Sequence, residues 1–223
     1  MRQVVILRPE PGASRTAAKA RALGLEPVLL PLFAPEPLPW SPPDAGDFDA
    51  LLLTSANGVR MAGAGLEKYR GLPVYAVGEA TAQALREAGF DQVIAGMGDG
   101  NAIAARLRTD GRRRVLHLAG TTVAPMDIGG LSVRRVPVYS MASLTPDLTP
   151  IDRADADAIL LVHSPRAGER LSALLPPARR SGLHIVAISP AALAACGEGW
   201  ASTHAVSRPD DDEMLALARR LCE

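Results

Sequence analysis

Cysteine is scarce in this chain. Cys196 and Cys222 stand apart, with no CxxC pair and no His-rich spacing beside them, which excludes a disulfide framework and indicates no zinc site. The cytoplasm is the compartment expected of such a composition. Lysine is as scarce: Lys19 and Lys68 are the two present, both in helix-like stretches, so a Schiff-base mechanism has few candidates. Net charge is absent, with 24 basic and 24 acidic residues, and no global field draws the chain to nucleic acid or an anionic membrane. No apolar run approaches the roughly 20 residues that span a bilayer. The apolar stretch before Arg8 is too short for a signal sequence, and no leader is expected. Neither GxGxxG nor GxxxxGK[ST] occurs, so dinucleotide or nucleoside triphosphate binding is unsupported.

What is present is core-forming. Of 223 residues, 48% are hydrophobic and 22% charged, enough to fill two α/β units. Short β-branched or leucine-rich runs alternate with alanine-rich stretches of helical period, the pattern of parallel sheets covered by helices. Strands are expected near 3–8, 27–32, 50–53, 74–77, 92–94, 114–118 and 133–139, then near 158–162, 184–188 and 202–206. Helices are expected over 14–23, 57–68, 80–88, 102–108, 167–175, 191–196 and 213–221. Two segments break the rhythm. Residues 30–47 hold six prolines and read as an extended crossover, neither helix nor central strand. Residues 140–156 show no clear period.

An internal repeat organises the rest. DALLLTSANGVR from Asp49 resembles DAILLVHSPRAGERL from Asp157, and LPVYAVGEATAQAL from Leu72 resembles LHIVAISPAALAAC from Leu183. GFDQVIAGMGDGNAIAARL from Gly89 parallels GWASTHAVSRPDDDEMLALARRL from Gly199, and EPVLLPLF from Glu26 parallels RRVPVYSM from Arg134. The repeat predicts two similar parallel-sheet, flavodoxin-like α/β domains. One is discontinuous, 1–35 plus 145–223, and the other, 39–138, is inserted into it through linkers at 34–39 and 139–147. A single continuous sheet is the competing arrangement.

Ligands of such sheets bind outside the carboxyl ends of the strands. The residues expected there are small or hydroxylic and open helices: RPEPG at Arg8, TSAN at Thr54, Gly78, GDGN at Gly98, LAGTT at Leu118, HSPR at His163, Ser189 and the segment from Ser207. They present backbone N–H groups and the positive ends of helix dipoles, which bind carboxylates or phosphates without lysine. Each is also a simple N-cap, the better reading for any one taken alone. His117 falls within a strand and reads as a core histidine, whereas His163 at a strand end is ambiguous. The run from Asp210 to Glu213 reads as a helix-start charge cluster rather than a metal site.

RPEPG, LLLTSANGVR, VYAVGEATAQALREAGF, LHLAG, VPVYSM, LLVHSPRAGERL and AISPAALAA, in this order and spacing, resemble the uroporphyrinogen-III synthase family over nearly the whole chain. The resemblance implies a pair of α/β domains joined by a two-stranded linker. It also implies a cofactor-independent cyclising lyase of tetrapyrrole (porphyrin, heme) biosynthesis. Its substrate would be hydroxymethylbilane and its product uroporphyrinogen III, with ring D inverted and water lost; a monomer is expected, with neither nucleic acid nor membrane as partner. On matching positions, Tyr139 would assist departure of the hydroxyl, although it could equally be an aromatic closing a strand. Arg8, Thr54, Ser55, Gly78, Gly100, Asn101, Gly120, Ser164 and Ser189 would hold substrate carboxylates, largely through main-chain amides. Arg8 could instead pair with a nearby acid. The chain departs from the family at Ser189, where glycine is usual, and at Ala191 and Ala192, where threonine or serine is frequent. The rival reading is a noncatalytic two-lobed small-molecule binder or sensor.

Overall fold

The computed structural model describes residues 2–96, 99–152 and 157–222. In chain order they form β1 (Gln3–Ile6), α1 (Gly12–Ala22), β2 (Glu26–Leu29), β3 (Phe33–Pro37), β4 (Ala50–Leu53), α2 (Ala56–Met61), β5 (Val74–Val77), α3 (Glu79–Glu87) and β6 (Val93–Gly96). Then come α4 (Gly100–Thr109), β7 (Arg114–Gly120), β8 (Ser132–Ser143), α5 (Thr149–Asp152), β9 (Ile159–Val162), α6 (Pro165–Leu174), β10 (His184–Ala187), α7 (Pro190–Ala194), β11 (Ser202–Ala205) and α8 (Asp211–Cys222).

The chain divides into two compact units, Met1–Ala34 with Ser143–Glu223, and Pro35–Ala142. The first carries the sheet β11-β10-β9-β1-β2, and the second carries β8-β7-β4-β5-β6 with β3 on the edge beside β8. The pairs β1–β2, β1–β9, β9–β10, β10–β11, β4–β5, β4–β7, β5–β6 and β7–β8 are all parallel. Numbered within its own unit, the first sheet reads 2-1-3-4-5, the flavodoxin order, and the second reads 3-2-1-4-5. These are one arrangement entered at different strands, so β9, β10, β11, β1 and β2 answer to β4, β5, β6, β7 and β8. The sequence repeat follows this correspondence at four of the five strand pairs, all but β1 with β7.

The central strands are apolar on both faces because helices cover both: Ala50, Leu51, Leu52 and Leu53 of β4 are buried, as are Ile159, Leu160, Leu161 and Val162 of β9. Helix α1 turns Ala13, Thr16, Ala17 and Ala20 inward at helical spacing, where small side chains allow close approach to the sheet. The repeated aspartates act alike. Asp49 accepts hydrogen bonds from the amides of Arg113 and Arg114 at the start of β7, and Asp157 accepts from Arg2 Nε just ahead of β1.

Several boundaries differ from the sequence reading. The helix expected over 57–68 stops at Met61 and resumes as a 3-10 turn over Gly63–Tyr69, because Gly63 takes φ +61, which breaks the α ladder. The strand expected to end at 139 runs on to Ser143, and the proline-rich segment supplies β3, an edge strand where missing N–H groups are tolerated. Gly98 and part of the 140–156 segment lie outside the described residues.

Candidate functional site

In open parallel sheets the strand order reverses at one point, and the crevice outside the strand ends there is the usual ligand site. In the second unit this point lies between β4 and β7. A cavity of about 450 Å³ sits there, lined by Thr54, Ser55, Val77, Asp99, Gly100, His117, Arg135 and Tyr139, and by the connection from Thr122 to Met126.

Tyr139 owes its place to a β-bulge. Ala119 pairs with Pro137 but Gly120 pairs with Tyr139, which leaves Val138 as an extra residue. The slip breaks the alternation of β8, and Val138 and Tyr139 are both buried. A Cβ on Gly120 would stand 2.8 Å from Tyr139 Cζ and 3.0 Å from its hydroxyl oxygen, so only glycine admits the ring. Tyr139 is 9% exposed.

The helix ends are capped as their residues suggest. Ser55 accepts from the Asn57 amide, and Asp99 Oδ1 accepts from the Asn101 and Ala102 amides at the start of α4. Gly78 precedes α3 at φ +79, a conformation that excludes most other residues. Asn101 stands behind the wall: its Oδ1 accepts from the Asp127 amide and so holds the connection that roofs the cavity. Gly100 packs against Met126, whose Cγ would be 3.3 Å from an added Cβ.

His117 is 1% exposed. Its Nε2 lies 3.3 Å from Thr54 Oγ1, and Nδ1 is buried without a partner among the described residues. Burial, aided by the Arg135 charge, lowers its pKa to about 4, so the imidazole is neutral at pH 7. Arg135, across the ladder from His117, makes no hydrogen bond or ion pair among the described residues.

In the first unit the reversal lies between β1 and β9. A smaller cavity of about 300 Å³ sits there, lined by Leu7, Arg8, Pro9, Glu10, Pro11, Gly12, Arg15, Phe33, His163, Ser164 and Ala167. Arg8 is bound to an acid: its Nη1 lies 2.9 Å from Asp211 Oδ1, His163 Nε2 lies 2.9 Å from the same oxygen, and Thr16 donates to Asp211 Oδ2 at 2.6 Å. Burial would raise the Asp211 pKa, but the bonds from His163 and Thr16 and the charges of Arg8 and His163 outweigh it. They hold the carboxyl well below the usual carboxylate range. Ser164 caps α6 by accepting from the Ala167 amide. Ser189 caps α7 through the Ala192 amide, away from the cavity lining.

The structure thus gathers Thr54, Ser55, Gly100 and Tyr139 around one cavity, with Asn101 and Gly120 supporting it and Gly78 outside the lining next to Val77, and Arg8 and Ser164 around another. Sequence reasoning gives Arg135 no role and reads Asp211 only as part of a helix-start charge cluster. A signal for Asp211 lay in the repeat, which sets PDDDEML against GDGNAIA. Arg135 carried none beyond its place in a strand. No group of His, Cys, Asp and Glu among the described residues could hold a metal ion, and no helix among them is long and apolar enough to cross a membrane.

Among solved structures, the uroporphyrinogen-III synthetase of Helicobacter pylori is 19% identical over 99% of this chain and 100% of its own, with a TM-score of 0.68. A mutant uroporphyrinogen III synthase of Thermus thermophilus is also 19% identical, over 99% and 98%, with a TM-score of 0.49. At such identity the first likeness carries the fold, a mixed α/β chain with parallel sheets. No curated protein matches. A family model described as uroporphyrinogen-III synthase HemD matches residues 14–216, and the chain belongs to that family.

Proposed function

We propose that this chain, a cyclising lyase by family, converts hydroxymethylbilane to uroporphyrinogen III with inversion of ring D and loss of water, without a cofactor. The observation that carries the site assignment is the cavity between β4 and β7, where Arg135, without a partner among the described residues, the Tyr139 phenol and the start of α4 converge. Thr54, Ser55, Gly78, Gly100, Asn101 and Gly120 shape donors for substrate carboxylates there. Arg135 supplies positive charge, and Asp99, which also lines the wall, spends an oxygen on the α4 cap. In the first unit's own crevice Arg8 and Ser164 would offer anion contacts, and Ser189 caps a helix of the same unit. The charge of Arg8 is largely answered by Asp211, which makes it the weaker anion ligand.

The chemistry asks little of side chains. The lone pair of a pyrrole nitrogen expels the hydroxyl as the C–O bond breaks, and Tyr139 donates the proton that turns it into water. The azafulvene carbon is then attacked by the ring D carbon that already carries the bridge from ring C. That bridge bond breaks and re-forms at the free α-carbon of ring D, and the proton lost from this carbon as the ring regains aromaticity balances the one donated. Unaided closure gives the uninverted isomer, so the protein chiefly controls geometry. The test supplies hydroxymethylbilane, oxidises the product and separates porphyrin isomers. Isomer III is expected to dominate, while isomer I alone or binding without turnover would sink the reading.

A further inference from the structure

His117 lines the larger cavity, yet the proposed reaction makes no use of it. It is too buried to reach out, and its contact within the site is with Thr54, at 3.3 Å, the long end of hydrogen-bond range. A neutral imidazole has one N–H and one lone pair. With the proton on Nδ1, a buried N–H would have no acceptor among the described residues. With the proton on Nε2, the hydrogen bond to Thr54 Oγ1 is made and a bare lone pair is left. Buried N–H groups without acceptors are the rarer defect.

We infer that His117 is a positioning residue: Nε2–H donates to Thr54 Oγ1 and so turns the Thr54 hydroxyl proton into the cavity, as a donor to a carboxylate of the substrate. The inference rests on the proposed cyclisation for the identity of that carboxylate. The Thr54 hydroxyl has no other hydrogen bond among the described residues to compete for its proton. Because the imidazole is neutral at pH 7, the arrangement orients a donor without adding a second fixed charge beside Arg135.

Two readouts test it. Long-range 1H–15N correlation on the wild-type protein at pH 7 should show His117 as the Nε2–H tautomer, and the Nδ1–H tautomer would overturn the inference whatever the enzyme turns over. In kinetics with hydroxymethylbilane, Thr54→Val and His117→Phe should each raise KM about fivefold, the size of one net hydrogen bond, with kcat within about twofold. The double variant should be no worse than Thr54→Val alone. His117→Gln, whose amide nitrogen can stand where Nε2 stands, should return KM to within about twofold of wild type. Additive effects, a fall in kcat at unchanged KM, or His117→Gln behaving like His117→Phe would overturn it. Should His117→Phe not fold, His117→Gln and Thr54→Val carry the same comparison. A wild type yielding no isomer III would remove the reaction, and the carboxylate role with it, while the tautomer stands as a separate result.

Discussion

The two units place different chemistry on the same scaffold. Thr54 and His163 occupy equivalent positions, one residue beyond β4 and β9. Ser55 and Ser164 follow as equivalent caps. Asp99 and Asp210 are equivalent too, each accepting from amides two and three residues on. That register sets Gly100 against Asp211. In the first unit the carboxylate at this position gathers Arg8, His163 and Thr16 and neutralises the crevice from within. In the second there is no side chain there, the cavity is larger, and Arg135 is left for an external anion. One residue at a helix start decides whether the crevice answers its own charge or a ligand's.

If the chemistry belongs to the second unit, Tyr139→Phe has the largest effect. The variant keeps the ring over Gly120, so its melting temperature should stay within a degree or two while kcat on hydroxymethylbilane falls about 10²-fold, the lower end for general-acid assistance. Turnover at the wild-type rate would leave Tyr139 a packing residue and return catalysis to conformational control.

Acid separates the units next. The folded-state pKa of His117 is depressed from 6.5 to about 4, so on acidification the unfolded chain takes up this proton first. The stability associated with His117 is complete above pH 6.5 and is lost as pH falls toward 4, on the order of 3 kcal/mol. The Asp211 pKa is also depressed, from 3.8, and its contribution is complete above that value and lost only below it. Denaturant titrations from pH 7 to 4.5 should therefore show a loss that His117→Gln removes and Asp211→Asn does not.

Asp211→Asn should cost about 2 kcal/mol at pH 7, since Arg8 loses its counter-charge and the cluster loses one of two acceptor oxygens; Arg8 stays partly solvated, which keeps the cost below that of a fully buried pair. Arg135→Gln should leave stability unchanged and raise KM. Equal stability losses in the two variants would erase the contrast between the units.

Gly100→Asp copies the first unit's solution into the second. Met126 must yield a few tenths of an ångström, and the new carboxylate should pair with Arg135 and repel the substrate. A rise in KM of about tenfold is expected, with kcat little changed. An unchanged KM would show that Arg135 does not meet a substrate carboxylate.

Part of this organisation was legible beforehand. The alternation of LLL and ILLV runs with alanine-rich helices identified the parallel sheets, and the serine caps at 55, 164 and 189 were readable because a cap is local, spanning two or three residues. The bulge that turns Tyr139 inward was not, since it depends on register against β7. The carboxylate that binds Arg8 was not either, because Asp211 lies 203 residues away and its further partners Thr16 and His163 lie 195 and 48 away from it. Local pattern reports what a residue does to its neighbours, whereas charge balance is settled by whatever the fold brings across the sheet.

The smallest effect tests the equivalence of the caps. Ser55→Ala and Ser164→Ala each remove one side-chain acceptor for a helix-start amide, worth about 1 kcal/mol of stability. The amides themselves survive as donors, and the dipole of α6 is unchanged. KM should therefore move less than about threefold in either variant, and by the same factor in both if the caps are only caps. A larger rise for Ser55→Ala alone would mean that its hydroxyl touches the substrate, since Ser55 lines the larger cavity beside Thr54. The comparison between the units would then sharpen at a second position, with serine structural in one crevice and a ligand in the other.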